Sequence, residues 1–386
     1  MIAILDRIEL GEYLKTLDFQ NIQQIETDYL QHMLLCGLYI NPLSNKIIFK
    51  GGTALQKVYN LNRFSIDLDF TSPLMNAEIE RIILESSKYL EMNGCKNTYK
   101  IEYAKTSISI IFKINGPLYR STLNDNTIAT LKLDISKRED IALKPLMQNI
   151  VPPYKDLRPY VVTHMHPNEI FAEKFRAIMT REKARDIYDF DFLISKKYDL
   201  LYSLMEKKMR IYENAQINYP NFLKKINLFK NDEWKIEINN IIYKYGNILQ
   251  IPCLEDVIYR INEYFKTRLI FKVEFNCNNS IKISDGTEIN GHFIAFNNNK
   301  NLLDRSISLR CIASSNLRFF PEFEYANAYL LLSIKDNKNT SNIKIDIETI
   351  ANYYKLDKNQ IISIKLVIKN NAAIPSLINI DAILET

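Results

Sequence analysis

Two acidic residues are the residues of this chain whose spacing first suggests chemistry. Asp67 and Asp69 are two residues apart in Phe64 to Phe70, a segment that predicts a β-strand. Strand side chains alternate between faces, so both carboxylates leave one face roughly 7 Å apart. Two converging carboxylates need a cation between them. Mg²⁺ takes oxygen ligands of this kind, often together with substrate phosphates.

A glycine pair precedes these acids and predicts a phosphate-binding turn. Gly51-Gly52-Thr53 follows a short apolar run, Lys46 to Phe49, that predicts a buried strand. Glycine has no Cβ to block a phosphate, and the amides of such a turn can donate hydrogen bonds to phosphate oxygens. Only 9 of the 386 residues are glycine, so an adjacent pair is notable. A phosphate cradle beside a carboxylate pair indicates nucleotide chemistry.

The stretch that holds both features, Lys50 to Phe70, carries a family resemblance. Its sequence, KGGTALQKVYNLNRFSIDLDF, resembles the GG[ST]…RxSxDxD signature of the DNA polymerase β-like nucleotidyltransferases. It is most similar to the AbiEii/AbiGii toxin type, whose pattern is KGGTAL…RFSxDLDF. A second block, Glu169 to Phe192, is similar to the later motif of that family, an AEK helix followed by RDxYD. The two blocks lie in the same order as in the family, and the resemblance covers residues 20–269.

The resemblance and the pattern of the chain together predict an α+β fold. The predicted architecture is a polymerase β-like nucleotidyltransferase core with a helical extension, followed by a β-rich C-terminal domain. Seven short apolar segments after residue 270 predict strands of a sandwich or barrel. The predicted domains are the core at 1–160, a helical domain that completes the active site at 161–269, and an accessory domain at 270–386.

A polymerase β-like core needs a third carboxylate on a strand next to the first two. Ser107 to Ile114 and Ile128 to Ile135 predict an antiparallel strand pair. Within the second strand, Leu133 faces one side while Lys132 and Asp134 face the other. Asp134 is therefore the best-placed third metal ligand. The alternative is an ordinary solvent-exposed face with alternating charge.

The second block places three basic residues at helical spacing. Lys174 is seven residues before Arg181 and eleven before Arg185. In one continuous helix Arg181 and Arg185 would each lie within about 20° of Lys174, a ridge that suits a triphosphate. A solvated basic face is the alternative. The resemblance implies that Lys174 is the lysine that contacts nucleotide phosphates. Asp186 and Asp189 would share one helix side and orient the basic residues, with a direct catalytic role for Asp186 as a second option.

These inferences give a set of predicted site residues. The predicted catalytic residues are Asp67, Asp69 and Lys174. The predicted ligands of one or two Mg²⁺ ions are Asp67, Asp69 and Asp134. The predicted nucleotide-binding residues are Lys50, Gly51, Gly52, Thr53, Arg63, Ser65, Arg181, Arg185 and Asp186.

The resemblance implies a toxin that transfers a nucleotide from an NTP to an acceptor. We expect the acceptor to be RNA, at the 3′ end of tRNA, and the implied protein partner is a cognate antitoxin. Two other readings stay open. One is transfer to a hydroxyl of a protein or a small molecule, and the other is a catalytically silent nucleotide-binding module. The intact glycine pair and acidic pair argue against silence.

Composition limits these options without choosing among them. The chain is 47% hydrophobic and 25% charged, which is typical of a globular protein. Its net charge of +5 is compatible with a nucleic-acid partner but does not require one. The five cysteines are scattered, which predicts reduced thiols. Without a signal peptide or a long apolar run, we expect a cytoplasmic protein with no membrane partner.

Overall fold

The structure is a computed structural model, and it divides into two compact units. It describes residues 4–121, 127–138, 141–213, 217, 219–244 and 250–266, together with eight strands between 268 and 385. One unit comprises Met1–Tyr198 and Phe229–Leu254, and the other comprises Asp199–Leu228 and Glu255–Thr386. The domain boundaries expected at 160 and 269 stay predictions.

Helices and strands alternate in the first unit, and strands dominate the end of the chain. The helices of the described residues, α1 to α10, are Arg7–Thr16, Ile22–Tyr39, Gly51–Tyr59, Asn76–Met92, Pro167–Thr180, Ala184–Ser195, Tyr202–Glu213, Tyr219–Asn227, Asn231–Asn239 and Leu254–Lys266. The strands of the same residues, β1 to β15, are Ile48–Lys50, Leu68–Thr71, Asn97–Ala104, Ser107–Ile114, Ala129–Ser136, Leu146–Ile150, Tyr160–His164, Arg268–Cys277, Glu288–Ala295, Ile307–Ile312, Arg318–Phe320, Tyr329–Lys335, Thr340–Asp346, Ser363–Asn370 and Leu377–Glu385. None of these helices is long and apolar enough to cross a lipid bilayer.

A seven-stranded sheet organises the first unit. Its strand order is β3-β4-β5-β2-β1-β7-β6. β2 pairs antiparallel with β1 and parallel with β5, so it lies near the middle of the sheet. The predicted antiparallel pair is confirmed, because β4 and β5 pair from Ser107↔Ser136 to Ile114↔Ala129. The mixed sheet and its helices confirm the predicted α+β class.

The core of this unit lies between the sheet and helices α2 and α4. Asn21 caps α2 by accepting a hydrogen bond from the Gln24 amide at 3.0 Å. Apolar side chains of α2 and α4, such as Leu30 and Ile82, are fully buried. They pack in one cluster with inward-facing strand residues such as Leu133. The alternation expected of β5 is therefore present, since Leu133 points into the core and Asp134 points away from it.

Two local boundaries differ from the sequence expectation. Helix α3 begins at Gly51, so the residues of the predicted turn are its first residues. The strand expected from Phe64 begins only at Leu68. The backbone before it pairs elsewhere, because the Phe64 amide donates to the Ile241 carbonyl at 2.6 Å and the Ser65 amide is bound by a glutamine side chain.

The end of the chain is β-rich, as predicted. Its strands form a five-stranded antiparallel sheet, β10-β9-β8-β15-β14, and a three-stranded antiparallel sheet, β11-β12-β13. The strand expected at 280–284 lies outside the described residues. Sandwich or barrel closure of these strands stays a prediction.

Candidate active site

The turn between β1 and α3 is packed directly against the acidic strand. Gly51 has a φ of 75°, a conformation that favours glycine, and a Cβ on it would lie 2.4 Å from Asp69 Oδ2. A Cβ on Gly52 would lie 2.4 Å from Arg63 Nη2. The Thr53 hydroxyl donates to the Asp67 carbonyl oxygen. Both glycines are therefore required by close approach, and the first amides of α3 lie beside the acids.

Strand register brings the charged residues of three neighbouring strands side by side. Lys50 pairs with Asp69 across β1 and β2, and Asp69 pairs with Asp134 across β2 and β5. Paired residues of adjacent strands share a face and lie about 5 Å apart. Asp67 directly precedes β2. We call Asp67, Asp69 and Asp134 the acid face.

The acid face carries negative charge that the protein does not fully neutralise. Burial raises the pKa of the Asp69 carboxyl, and the nearby Asp67 and Asp134 raise it further. Lys50 and Lys174 act in the opposite direction and do not cancel these effects. A cation bound beside Asp69 would favour its ionised form.

The acid face has donor atoms that suit a divalent metal, but its side chains are not all placed to hold one. Its donors are carboxylate oxygens, which Mg²⁺ prefers. Across the part of the chain that the structure describes, no three His, Cys, Asp or Glu side chains are placed to hold a metal ion together. Asp134 instead forms an ion pair, with its Oδ2 2.6 Å from Lys132 Nζ. That pair is solvent-exposed, at 45% for Lys132 and 36% for Asp134, so its partners can exchange at little cost.

The three basic residues of the second block do not form a ridge. α5 ends at Thr180, Arg181 is extended at φ −145°, and α6 begins at Ala184. The expectation of one continuous helix is therefore wrong. Arg181 instead reaches forward to Asp186, with Nε 2.7 Å from Oδ2 and Nη2 3.0 Å from Oδ1. Arg185 is half-buried in the first turn of α6.

Lys174 is held by two buried carboxylates. Its Nζ lies 3.1 Å from Asp186 Oδ1 and 2.6 Å from Asp189 Oδ2. Arg63 binds the same Asp189 through Nε at 2.6 Å and Nη2 at 2.7 Å, and it donates to its neighbour's carbonyl, that of Phe64, at 3.0 Å. Arg63 is only 3% exposed. We call Arg63, Lys174, Arg181, Asp186 and Asp189 the ion-pair cluster.

The three cations of the ion-pair cluster fully compensate its two carboxylates. Burial alone would raise the pKa of Asp186, but Lys174 and Arg181 outweigh it and hold that pKa well below its usual range. Asp189 behaves in the same way, since Arg63 and Lys174 lower its pKa despite complete burial. Both carboxylates therefore stay ionised and fix the lysine between them.

Several residues that support the site were not found from the sequence. Glu173 lies beside the predicted lysine and binds Lys50, with Oε1 3.1 Å from Nζ. Gln56 Oε1 accepts from the Ser65 amide at 3.1 Å, and Gln31 Nε2 donates to the Ser65 carbonyl at 2.9 Å. Glu173 could have been suspected from its place in the AEK block. The two glutamines act across the fold and leave no local pattern.

The structure thus brings together most of the predicted site. The glycine turn, Lys50 and Lys174 surround Asp69, with the other two acids beside it. Arg63 lies against Gly52 but is buried in the ion-pair cluster instead of being open to a phosphate. Among the described contacts, those of Arg181 and Asp186 are with the same cluster, and Arg185 takes no part in it.

A family model matches a large part of the chain. The model for the nucleotidyl transferase AbiEii toxin of type IV toxin–antitoxin systems matches residues 33–245. That range holds the acid face, the glycine turn and the ion-pair cluster. No curated protein sequence matches this chain.

The chain is also similar to solved structures from two bacteria. MenT4, a nucleotidyltransferase toxin from Mycobacterium tuberculosis H37Rv, is 17% identical, with a TM-score of 0.47 over 67% of this chain and 88% of that protein. JHP933 from Helicobacter pylori is 20% identical, with a TM-score of 0.40 over 62% of this chain and 89% of that protein.

Proposed function

This chain belongs to the AbiEii family of nucleotidyl transferase toxins of type IV toxin–antitoxin systems, and from that premise we propose that it transfers a nucleotide from an NTP to the 3′ end of tRNA in a Mg²⁺-dependent reaction. The observation that carries the proposal is the surroundings of Asp69. This carboxylate lies against Gly51, in register with Lys50 and Asp134. It thus combines a phosphate cradle, a cation and a second acid within one small site.

The triphosphate would bind at the first turn of α3. Amides at a helix N-terminus favour anions, and the two glycines let Asp69 and Arg63 approach this turn closely. Lys50 and Lys174 both act electrostatically on Asp69, so both lie near enough to attract a phosphate bound there. We assign Thr53 a structural role as well, since its hydroxyl holds the Asp67 backbone.

The acid face would hold the metal. Asp67, Asp69 and Asp134 would be its ligands, and Asp134 would do so in place of its exposed pair with Lys132. Bound Mg²⁺ supplies charge neutralisation for the triphosphate and a lower pKa for the attacking hydroxyl. The raised pKa of Asp69 is consistent with a carboxylate that binds a cation.

Lys174 would stabilise negative charge that develops on the transferring phosphate. Such a donor works best when it is fixed before the reaction, because no reorganisation is then needed. Asp186 and Asp189 fix its ammonium, and Arg63 fixes Asp189. Asp189 and Arg63 are therefore positioning residues, and Lys174 is the catalytic one.

An exposed lysine row beside the acid face supports an RNA acceptor. Lys100 pairs with Ile111, which pairs with Lys132, and these positions share the face of Asp134. Lys113 lies on the same face two residues from Ile111. All three lysines are exposed. Exposed lysines along one sheet face can follow an RNA backbone, and they add a salt-dependent term to binding. We call Lys100, Lys113 and Lys132 the lysine row.

A transfer assay tests the proposal. Purified protein is mixed with Mg²⁺, each labelled NTP in turn, and total tRNA or protein extract. We expect label in tRNA, absent from Asp67→Ala and retained by Glu91→Ala, an exposed acid on α4. Label in protein, or no transfer by a folded protein that binds NTP, would overturn the tRNA assignment.

A salt titration tests the docking face separately. The Lys100→Glu/Lys113→Glu double variant should bind tRNA more weakly. Each lost phosphate contact lowers the slope of log affinity against log salt by about 1. An unchanged slope would remove the lysine row from the RNA-binding surface.

A further inference from the structure

A second cleft of the first unit lies away from the acid face. It has a volume of about 610 Å³, within the range of small-molecule pockets. Gln56 and Lys57 of α3 line it, and they lie about 8 Å along the helix from the glycine pair. The strand β6 supplies Gln148 and Asn149 to its opposite wall. None of the residues assigned to phosphate or metal lines this cleft.

The floor of the cleft is a buried ion pair whose ammonium group has further N–H donors. Lys57 Nζ lies 2.7 Å from Asp28 Oδ1, and the two side chains are 2% and 5% exposed. Asp28 also accepts from Gln56 Nε2 at 3.1 Å and from the Tyr154 hydroxyl at 2.9 Å. Asp28 is the one acceptor of the Lys57 ammonium among the described residues. An ammonium group has three N–H donors, so Lys57 can still donate to a ligand.

The charges of the floor cancel, which favours a neutral ligand. Asp28 and Lys57 form one pair of opposite sign. His32 also lines the floor, and burial together with Lys57 lowers its pKa to about 3, so it is uncharged near neutral pH. A charged ligand would lose hydration here without gaining a counter-charge.

The mouth and wall supply the groups that recognise a heterocycle. Four exposed residues that carry carboxamides line the cleft, and they are Asn60, Asn62, Gln148 and Asn149. A carboxamide both donates and accepts, and it pairs bidentately with the edge of a base such as adenine. Phe19 and Tyr243 supply the aromatic wall of the cleft, and their rings pack edge to face with centroids 5.0 Å apart and an interplanar angle of 72°. Aromatic side chains are the usual stacking surface for unpaired bases.

We propose that this cleft, between the C-terminal end of α3 and β6, is a binding site for a nucleobase. The base stacks on the aromatic wall, pairs its edge with the carboxamides and accepts a hydrogen bond from Lys57. The same chemistry can come from a free nucleoside or from an unpaired base of an RNA strand. Gln56 connects the cleft to the active site, because it binds Asp28 on one side and the Ser65 amide on the other.

Equilibrium binding of 2-aminopurine riboside, followed by fluorescence, tests the proposal on the full chain. This nucleoside has no phosphate, so the site for the triphosphate does not favour it. We expect saturable binding that natural nucleosides displace. Asn60→Gly/Asn149→Ala should weaken it at least tenfold, since two carboxamides are lost while glycine keeps the left-handed φ of 60° at position 60. Asn239→Ala, an exposed amide outside the cleft, is the matched control.

The outcomes separate this proposal from the proposed function. Asp67→Ala should bind the riboside within twofold of the parent, because the acid face is not part of the cleft. Displacement by RNA with an unpaired 3′ end, but not by blunt duplex RNA, identifies an RNA base as the source. Displacement by nucleosides alone identifies a free nucleoside. Absence of saturable binding to a folded protein, or equal binding by the double variant, would overturn the proposal whatever the transfer assay shows.

Discussion

The acid face and the ion-pair cluster lie next to each other and treat charge in opposite ways. In the acid face, burial and like charges raise the pKa of Asp69, and its two nearby lysines do not restore it. In the ion-pair cluster, buried Asp186 and Asp189 have lowered pKa values because each binds two cations. Asp69 therefore lacks a full counter-charge, whereas Asp186 and Asp189 are each paired with cations of the protein.

The difference separates binding from positioning. An uncompensated carboxylate such as that of Asp69 gains most from a cation that arrives from outside, so Asp69 is suited to bind one. In the ion-pair cluster both carboxylates already have cationic partners, and the network holds Lys174 in one place. The contrast leads to substitutions with opposite effects on stability.

Removing the charge of Asp69 should give the largest loss of activity among these substitutions. It should lower activity while raising stability. Asp69→Asn keeps the shape but loses a metal ligand, so we expect transfer activity to fall about 10³-fold. The unfolding free energy should rise, because an unfavourable charge is gone. Single-turnover kinetics and urea unfolding measure the two quantities. A loss of stability in Asp69→Asn would contradict the view that the acid face is uncompensated.

Breaking the ion-pair cluster should have the opposite effect on stability. Asp189→Asn leaves Arg63 without its buried partner and Lys174 with one carboxylate in place of two. The unfolding free energy should fall by about 3–5 kcal/mol, as when one partner of a buried pair is removed. The control is Glu233→Gln, in an exposed pair with Lys230, where we expect at most about 1 kcal/mol. Equal effects of the two changes would mean that the cluster is not stabilising.

The two regions should also respond oppositely to pH. Asp186 has a folded pKa below its usual 3.8, so its contribution to stability is present above 3.8 and is lost as pH falls below it. Asp69 has a folded pKa above 3.8, so its contribution falls as pH rises from 3.8 through that raised value. Urea unfolding from pH 3 to 7 measures both. The stability gained by Asp69→Asn should grow as pH rises and then level off.

The smallest effect should come from the exposed pair at the edge of the acid face. Lys132→Ala frees Asp134 for a metal. We expect the Mn²⁺ concentration at half-saturation to fall by about two- to fivefold and the unfolding free energy to change by less than about 1 kcal/mol. Direct Mn²⁺ binding, followed by its paramagnetic resonance signal, gives a readout independent of transfer. Lys113→Ala, on the same face, is the control. Weaker binding by Lys132→Ala would show that the lysine does not compete for Asp134.

Local pattern was enough to predict the acid face. The spacing of Asp67 and Asp69, the glycine pair before them and the alternation around Asp134 are each visible within a few residues. Strand pairing then follows from the same alternation, because only one register buries Leu133 and its neighbours. The family resemblance of the two blocks is confirmed by the match over residues 33–245.

The ion-pair cluster was harder to predict because its contacts are distant in sequence. The sequence alone predicts that Arg63 is available to a phosphate, whereas in the structure it is paired with Asp189. The break after Thr180 was missed because Arg181 has good helix propensity, and its bonds to Asp186 override that preference. Propensity describes a residue alone, whereas these contacts depend on which segments the fold brings together.

The pairing of Arg63 with Asp189, across 126 positions, also has a consequence for the order of synthesis. A ribosome releases the glycine turn and all three acids well before the lysine and its carboxylate partners. At roughly 5–20 residues per second, the interval between Arg63 and Asp189 lasts about 6–25 seconds. In the last part of that interval, once Asp134 has been added, the nascent chain has all three acids but not yet the complete ion-pair cluster. Translation therefore delays the assembly of the complete site. A ribosome that stalls in this interval carries a chain whose site is incomplete.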